Sequence, residues 1–471
     1  MDIRDGDLFK VILLRLFDLL PWKTDVQNLG LLCRYAAQVR RMFYLNFRVM
    51  WVINADNHMD AEKLWTAVNI RPMWIKFPDY PYGSKKFGES FRRVCVENFV
   101  VTNLRRYAKR WPNLVEISCK LGGSQDIVIP EHIHFFTHDI VTPSDRVITV
   151  HDKVVGLAAT NITLCRYNID PFSMLKQLHI AVADIHLPVL PDTVETYELT
   201  LDHSSIDTLH LKLPRYLKHF VLKTICKMDN ESRRGIYFPT ECRDSLEVLK
   251  IRGVVFNDKN YWTESRVYLP AYRNLDLLEL DIREVTFLDG LVSLGYVKKQ
   301  LSIRLATQGA KLNFGREVSF EQMFNSLNSS LSYLRMESKT MPVGVYDNVV
   351  RVHSQKLPHL ETLELSLPLK LRLVDVDFSR IERLLIRTIE LTGNITKLNT
   401  TSACDIILSQ VSRNHDEVLE FPDEMMHRDT KVRLDNMLLS TPPLTHVAYT
   451  SRYGITFKTP FFAEPKKNAL K

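Results

Sequence analysis

The sequence predicts an α/β protein: an N-terminal three-helix unit followed by an irregular solenoid of short repeats. Three observations predict it. The first fifty residues carry apolar side chains at helical spacing. From Trp111 onward, short Leu, Ile and Val runs recur every 19 to 29 residues. The composition of the 471 residues, 45% hydrophobic and 25% charged, is ordinary for globular chains and leaves room for more than one domain.

In the first helix Leu8, Ile12, Leu13, Leu16, Phe17 and Leu20 form one stripe, with Lys10, Arg15 and Asp18 largely outside it. Pro21 ends it. Thr24-Asp25-Val26-Gln27 has the form of a capping box that opens a second helix, whose apolar face is Val26, Leu29, Leu32, Cys33 and Ala36. A third run, Val39, Met42, Phe43, Phe47, Met50 and Trp51, completes a unit over residues 1–50. Such a unit is too small to bury much surface alone, so it leans on a partner or on the rest of the chain. Residues 51–110 read as a helical connector. Pro72, Pro78, Pro81 and Gly83, with Tyr80 and Tyr82, mark a loop, and Ser90 to Arg110 reads as a helix.

Residues 111–460 carry the pattern L-x-x-L-x-L. The clearest copies are Leu360, Leu363, Leu365; Leu246, Leu249, Ile251; and Leu275, Leu278, Leu280. Five more are Leu175, Leu178, Ile180; Val194, Tyr197, Leu199; Leu217, Phe220, Leu222; Leu331, Leu334, Met336; and Ile381, Leu384, Ile386. Leu114 with Ile117, and Leu444 with Val447 and Tyr449, are weaker copies at the two ends. The period is that of leucine-rich repeats, in which each short parallel strand points its L-x-L pair into a core that only stacked neighbours can close. The alternative is an unrelated α/β or all-β domain, because the pattern arises by chance in leucine-rich chains. Residues 461–471, with Lys466, Lys467 and Lys471, read as a mobile tail.

Composition removes several functions. Sixteen glycines stand where average usage gives roughly 33, and no H-E-x-x-H, G-x-S-x-G, Walker A or G-x-G-x-x-G motif occurs. The expectation is a non-enzymatic protein with no catalytic residue, no cofactor and no metal. A net charge of +7 is not the concentrated basic excess of a dedicated nucleic-acid binder. Seven scattered cysteines (Cys33, Cys95, Cys119, Cys165, Cys226, Cys242, Cys404) form no C-x-x-C pair and read as reduced thiols. Asp2, Asp5 and Asp7 oppose a signal peptide, and no run reaches the roughly 18 apolar residues of a membrane span. The expected location is cytoplasmic, nuclear or both, with no membrane partner.

Residues 8 to 36 resemble the F-box. The match runs Leu8-Phe9-Lys10-Val11-Ile12-Leu13, Leu16-Phe17, Leu20, Asp25-Val26, Leu29 and Leu31-Leu32-Cys33-Arg34, with one extra residue between Leu20 and Asp25. Phe9, Val11 and Ala36 stand where proline, an acidic residue and tryptophan are usual. An F-box followed by leucine-rich repeats implies a substrate-recognition subunit of an SCF-type ubiquitin ligase. Its F-box binds the SCF adaptor, and through it the cullin, while the repeats hold a protein substrate; the chemistry belongs to other subunits. The resemblance assigns Leu8, Ile12, Leu16, Leu20, Val26, Leu29, Leu32 and Cys33 to adaptor contact and to the F-box core. The alternative is a non-enzymatic F-box scaffold, of chromatin or kinetochore-like assembly, without a ligase role.

Two clusters stand outside that scheme. His132, His134 and His138, with Asp139, suit either a metal or, more simply, a histidine-rich surface strand. Lys85, Lys86, Arg92, Arg93, Arg105, Arg106, Lys109 and Arg110 interleave with Phe87, Phe91, Phe99, Tyr107 and Trp111. This suits phosphate and base contacts or an acidic degron; the simpler account is a helix with buried rings and a solvated basic face. On the repeats, the x positions Glu279, Glu364, Lys250, Glu247, Thr362 and His219 are expected on the face open to a protein partner.

Overall fold

The structure is a computed structural model. It describes residues 50 to 458 apart from a set of loops, and from residue 399 onward it gives backbone strands only. The eight residues assigned to adaptor contact, and the helical unit that holds them, lie outside the described residues, as does the tail.

The described chain divides into two compact units, one through Val182 together with His186–Thr193, the other comprising Ala183–Ile185 and the residues from Val194. In the first unit, seven strands each pair in parallel with the one before: Met50–Val52, Trp74–Phe77, Arg93–Val101, Glu116–Leu121, Phe135–Ile140, Gly156–Ala159 and Gln177–Val182. Between them the chain returns through a second parallel sheet, Ile127–Val128, Val147–Val150 and Arg166–Ile169.

The second unit repeats the plan. Its main sheet runs Thr196–Asp202, His219–Ile225, Val248–Gly253, Leu277–Asp281, Gln300–Leu305, Tyr333–Ser338, Thr362–Ser366, Arg383–Thr388, Asp405–Gln410, Lys431–Asp435 and Val447–Thr450, all parallel. Thr456–Lys458 closes it antiparallel. Returns form two further parallel sheets: Thr208–His210, Gly235–Tyr237, Arg266–Leu269, Glu284–Phe287 and Lys311–Asn313, then Val350–Val352, Lys370–Phe378, Glu390–Leu398 and Leu419–Glu420.

The α/β class is thereby corrected. The described residues are dominated by parallel strands, with three helices of seven, four and six residues, Leu104–Arg110, Val292–Gly295 and Phe320–Asn325. The reason lies in the returns. Arg266–Leu269 and Glu284–Phe287 each bury two alternate side chains, Val267 with Leu269 and Val285 with Phe287, so they behave as half-buried strands and add a second layer without helices. The helical connector is corrected too. Met50 and Trp51, read as helical, sit in a strand against Trp74 and Ile75. The helix expected from Ser90 is instead a strand through Val101, because Val94, Val96, Val100 and Val101 are stiff at χ1 and favour a pleated surface; only Leu104–Arg110 is helical.

The repeat copies fall on the main-sheet strands. All three apolar positions of all eight clear copies are buried, and those of the second unit stand in two columns at fixed register. One runs Tyr197, Phe220, Leu249, Leu278, Leu301, Leu334, Leu363 and Leu384; the other runs Leu199, Leu222, Ile251, Leu280, Ile303, Met336, Leu365 and Ile386. A one-residue slip would turn every one of these side chains out of the core, so the apolar pattern sets the register. In half of the copies the first position closes a tight turn. Leu217, Leu331, Leu360 and Ile381 each donate their N–H to the carbonyl three residues earlier, on Pro214, Asn328, Leu357 and Phe378. Ile133 and Val154 do the same, to Pro130 and His151, and fill the gap between Leu114 and Leu175 with two copies whose motif is blurred by His138 and Ala159.

Candidate functional site

Alternation places the residues between the buried pairs on the opposite, outward face of the main sheet. In the second unit one outward column is Glu198, Val221, Lys250, Glu279, Ser302, Arg335, Glu364 and Leu385. The next is Thr200, Lys223, Arg252, Asp281, Arg304, Glu337, Ser366 and Arg387. Parallel strands stack these side chains about 4.8 Å apart, which is within reach of long charged groups.

The charges are arranged in alternating sign across the strands. Glu198 pairs with Lys223. Arg252 donates Nε and Nη2 to the two carboxylate oxygens of Glu279, both at 2.8 Å. Arg304 lies between Asp281, at 3.8 Å, and Glu337, at 3.6 Å. Arg335 reaches Glu337 at 2.9 Å and Glu364 at 3.4 Å, and Arg383 reaches Glu364 at 2.8 Å. Six groups from Asp281 to Arg383 therefore form one continuous chain of ion pairs over five strands.

That chain changes the titration of its members. The hydrogen bond to Glu279 raises Arg252 further above its ordinary range, against partial burial. Burial pulls Arg335 down, and the hydrogen bond to Glu337 with the field of Glu364 more than offsets it. Asp281 goes the other way: burial pushes its carboxyl up, and Arg304 only partly opposes this. Its Oδ1 is buried without a hydrogen-bond partner among the described residues.

Of the expected recognition positions, the structure brings Lys250, Glu279 and Glu364 into one column. His219 and Thr362 join the neighbouring column, and Glu247 lies in the turn 4.0 Å from His219. Sequence reasoning did not name Arg335 or Arg383, and it missed Arg252, Asp281, Arg304 and Glu337 altogether. Their signal was present, since each follows the last apolar residue of its copy, one place beyond where the motif reading stopped.

The other clusters resolve differently. His132 and His134 precede the strand and only His138 lies on it, facing inward between Phe136 and Tyr167 with ring centroids at 5.4 and 6.0 Å. Among the described residues no three His, Cys, Asp or Glu side chains converge in a metal-binding arrangement. Three rings of the basic cluster are core: Phe91, Tyr107 and Trp111 are buried and, with Phe77, make ring contacts at 5.4 to 6.0 Å, while Phe99 is half-buried and Phe87, with Lys85 and Lys86, lies outside the described residues. Arg105, Arg106 and Lys109 occupy the solvated side of helix Leu104–Arg110. Those buried rings have no free faces on which bases can stack.

No known family model and no curated protein matches the chain. No described helix is long and apolar enough to cross a membrane.

Proposed function

We propose that this chain is a protein-recognition subunit that presents its target on the outward face of the second unit's main sheet, and that residues 8–36 join it to the SCF adaptor and cullin as the substrate receptor of a ubiquitin ligase. The observation that carries the recognition half is the ion-pair chain from Asp281 to Arg383, held in register by buried columns beneath it. Fixed polar groups on a rigid sheet offer a partner a pre-ordered pattern, so little side-chain freedom is lost on binding. Balanced charge favours a polar protein surface over a polyanion. The F-box resemblance of residues 8–36 supports the ligase half.

Affinity purification of the full chain, with mass spectrometry of the bound proteins, tests this reading. Leu16→Asp combined with Leu32→Asp should remove adaptor and cullin while other partners stay bound. Adaptor and cullin retained by the double variant, or absent from the unaltered chain, overturn the ligase half. Adaptor bound without cullin favours the scaffold.

A further inference from the structure

The second layer of the second unit is made of two separate sheets, one ending at Lys311–Asn313 and the next beginning at Val350–Val352. Helix Phe320–Asn325, later in the same return as Lys311–Asn313, packs against Val350–Val352. Where the two sheets part, a helix with side chains at a period of 3.6 meets strands with a period of 2, and the two do not interdigitate as neighbouring strands of one sheet do. At this junction lies a cavity of about 300 Å³. Its walls are apolar and come from three kinds of element: Phe324 from the helix, Val352 and Phe378 from the second layer, and Leu360, Leu363 and Ile381 from the repeat copies. None of the six is more than 5% exposed.

The mouth is polar. Asp377, Ser379, Arg380 and His353 rim it. Asp377 is occupied, since its Oδ1 accepts from the Ser379 N–H at 2.9 Å and Lys397 lies 3.9 Å away. Arg380 is exposed and braced by one bond, Nη1 to the Pro358 carbonyl at 3.1 Å. A guanidinium carries five donors in a planar fork that matches a carboxylate, so this single bond leaves donors for a second acceptor, although the Arg380 charge also acts on the Asp377 carboxyl. An apolar chamber with a few polar groups at its rim is the usual build of a small-molecule site, and an apolar cavity of roughly 150 Å³ already accepts benzene.

We propose that this cavity binds a small amphipathic carboxylate, its apolar body between Phe324, Leu360 and Ile381 and its carboxylate on Arg380. The site is separate from the outward face assigned to protein recognition, because its walls lie in the core beneath the main sheet.

Titration calorimetry of the full chain with decanoate, decanol and butyrate, each below its aggregation threshold, tests the assignment. Decanoate should bind saturably at one site, decanol about tenfold more weakly, and butyrate not at all. Arg380→Gln, an exposed change that spares the core, should bring decanoate down to the affinity of decanol and leave decanol unchanged. Ile381→Phe, which fills the chamber, should weaken both ligands at least tenfold. No saturable decanoate binding, equal affinity for decanoate and decanol, or decanoate binding unaffected by Arg380→Gln would overturn the proposal.

Discussion

Arg252 grips Glu279 across two neighbouring strands with a pair of parallel hydrogen bonds, although the residue beside Arg252 in register is Asp281. The guanidinium thus leans two residues back along the strand, to the next side chain on the same face, and leaves Asp281 to Arg304. The two side chains are 40% and 27% exposed, so solvent screens much of their attraction. A double-mutant cycle with Arg252→Ala and Glu279→Ala, read by chemical denaturation, should give a coupling of about 0.5–1 kcal/mol, at the upper end for exposed pairs because the geometry is bidentate.

Gly393 faces a steeper constraint. Its φ is +100°, and a Cβ there would stand 1.9 Å from the Leu373 carbonyl oxygen, where the ladder between Lys370–Phe378 and Glu390–Leu398 shifts register. Gly393→Ala should destabilise the chain by roughly 3 kcal/mol or more, since both the backbone angle and the neighbouring backbone must give way. Gly123 has a φ of +87° with nothing within 4 Å of the added atom. Gly123→Ala should cost only about 1 kcal/mol, the conformational part alone. Denaturation midpoints of the two variants separate strain from collision.

His138 makes the first unit sensitive to acid. Burial, aided by the nearby Arg146 charge, pushes its imidazole down to about 4 from an ordinary 6.5. A folded-state value below the unfolded one means that the stabilisation is complete above pH 6.5 and is lost as pH falls toward 4. The gap corresponds to a loss on the order of 3 kcal/mol over that window. Thermal unfolding of His138→Leu between pH 7 and 4 should show a markedly flatter acid limb than the unaltered chain.

Asp281 predicts the opposite sign. With its carboxyl raised by burial, ionisation costs the folded state more than the unfolded one, so this group withdraws stability as pH rises through the carboxylate range. Asp281→Asn should therefore be at least as stable as the unaltered chain at pH 7 and lose that advantage near pH 3. A fall in stability at neutral pH would show that the bond to Arg304 outweighs burial.

The main-sheet strands were legible because burial on one face forces a fixed spacing on Leu246, Leu249 and Ile251 and on each later copy. The returns were not. Thr208–His210 and Gly235–Tyr237 hold three residues each, too few for a period of 2 to register. Ser90 to Arg110 misled for another reason: its aromatic and basic residues suit a helix face, while the β-branched run at Val94 and Val96 carried the true signal. Of the ion-pair chain only Glu364 was named from the sequence, although Arg335 and Arg383 hold the same kind of variable position. The other half, Asp281, Arg304 and Glu337, lay one residue past the motif, where only the sheet shows that successive repeats bring opposite charges together.

The claim that the outward face recognises a protein is tested most directly by Ser302→Trp. Ser302 stands in the outward column between Glu279 and Arg335, so a bulky ring there obstructs the face without removing a charge or a core side chain. Quantitative affinity purification of the full chain against this variant should show adaptor and cullin retained, the unfolding temperature unchanged, and one group of remaining partners depleted at least tenfold. An unchanged partner set on a folded variant would contradict the account.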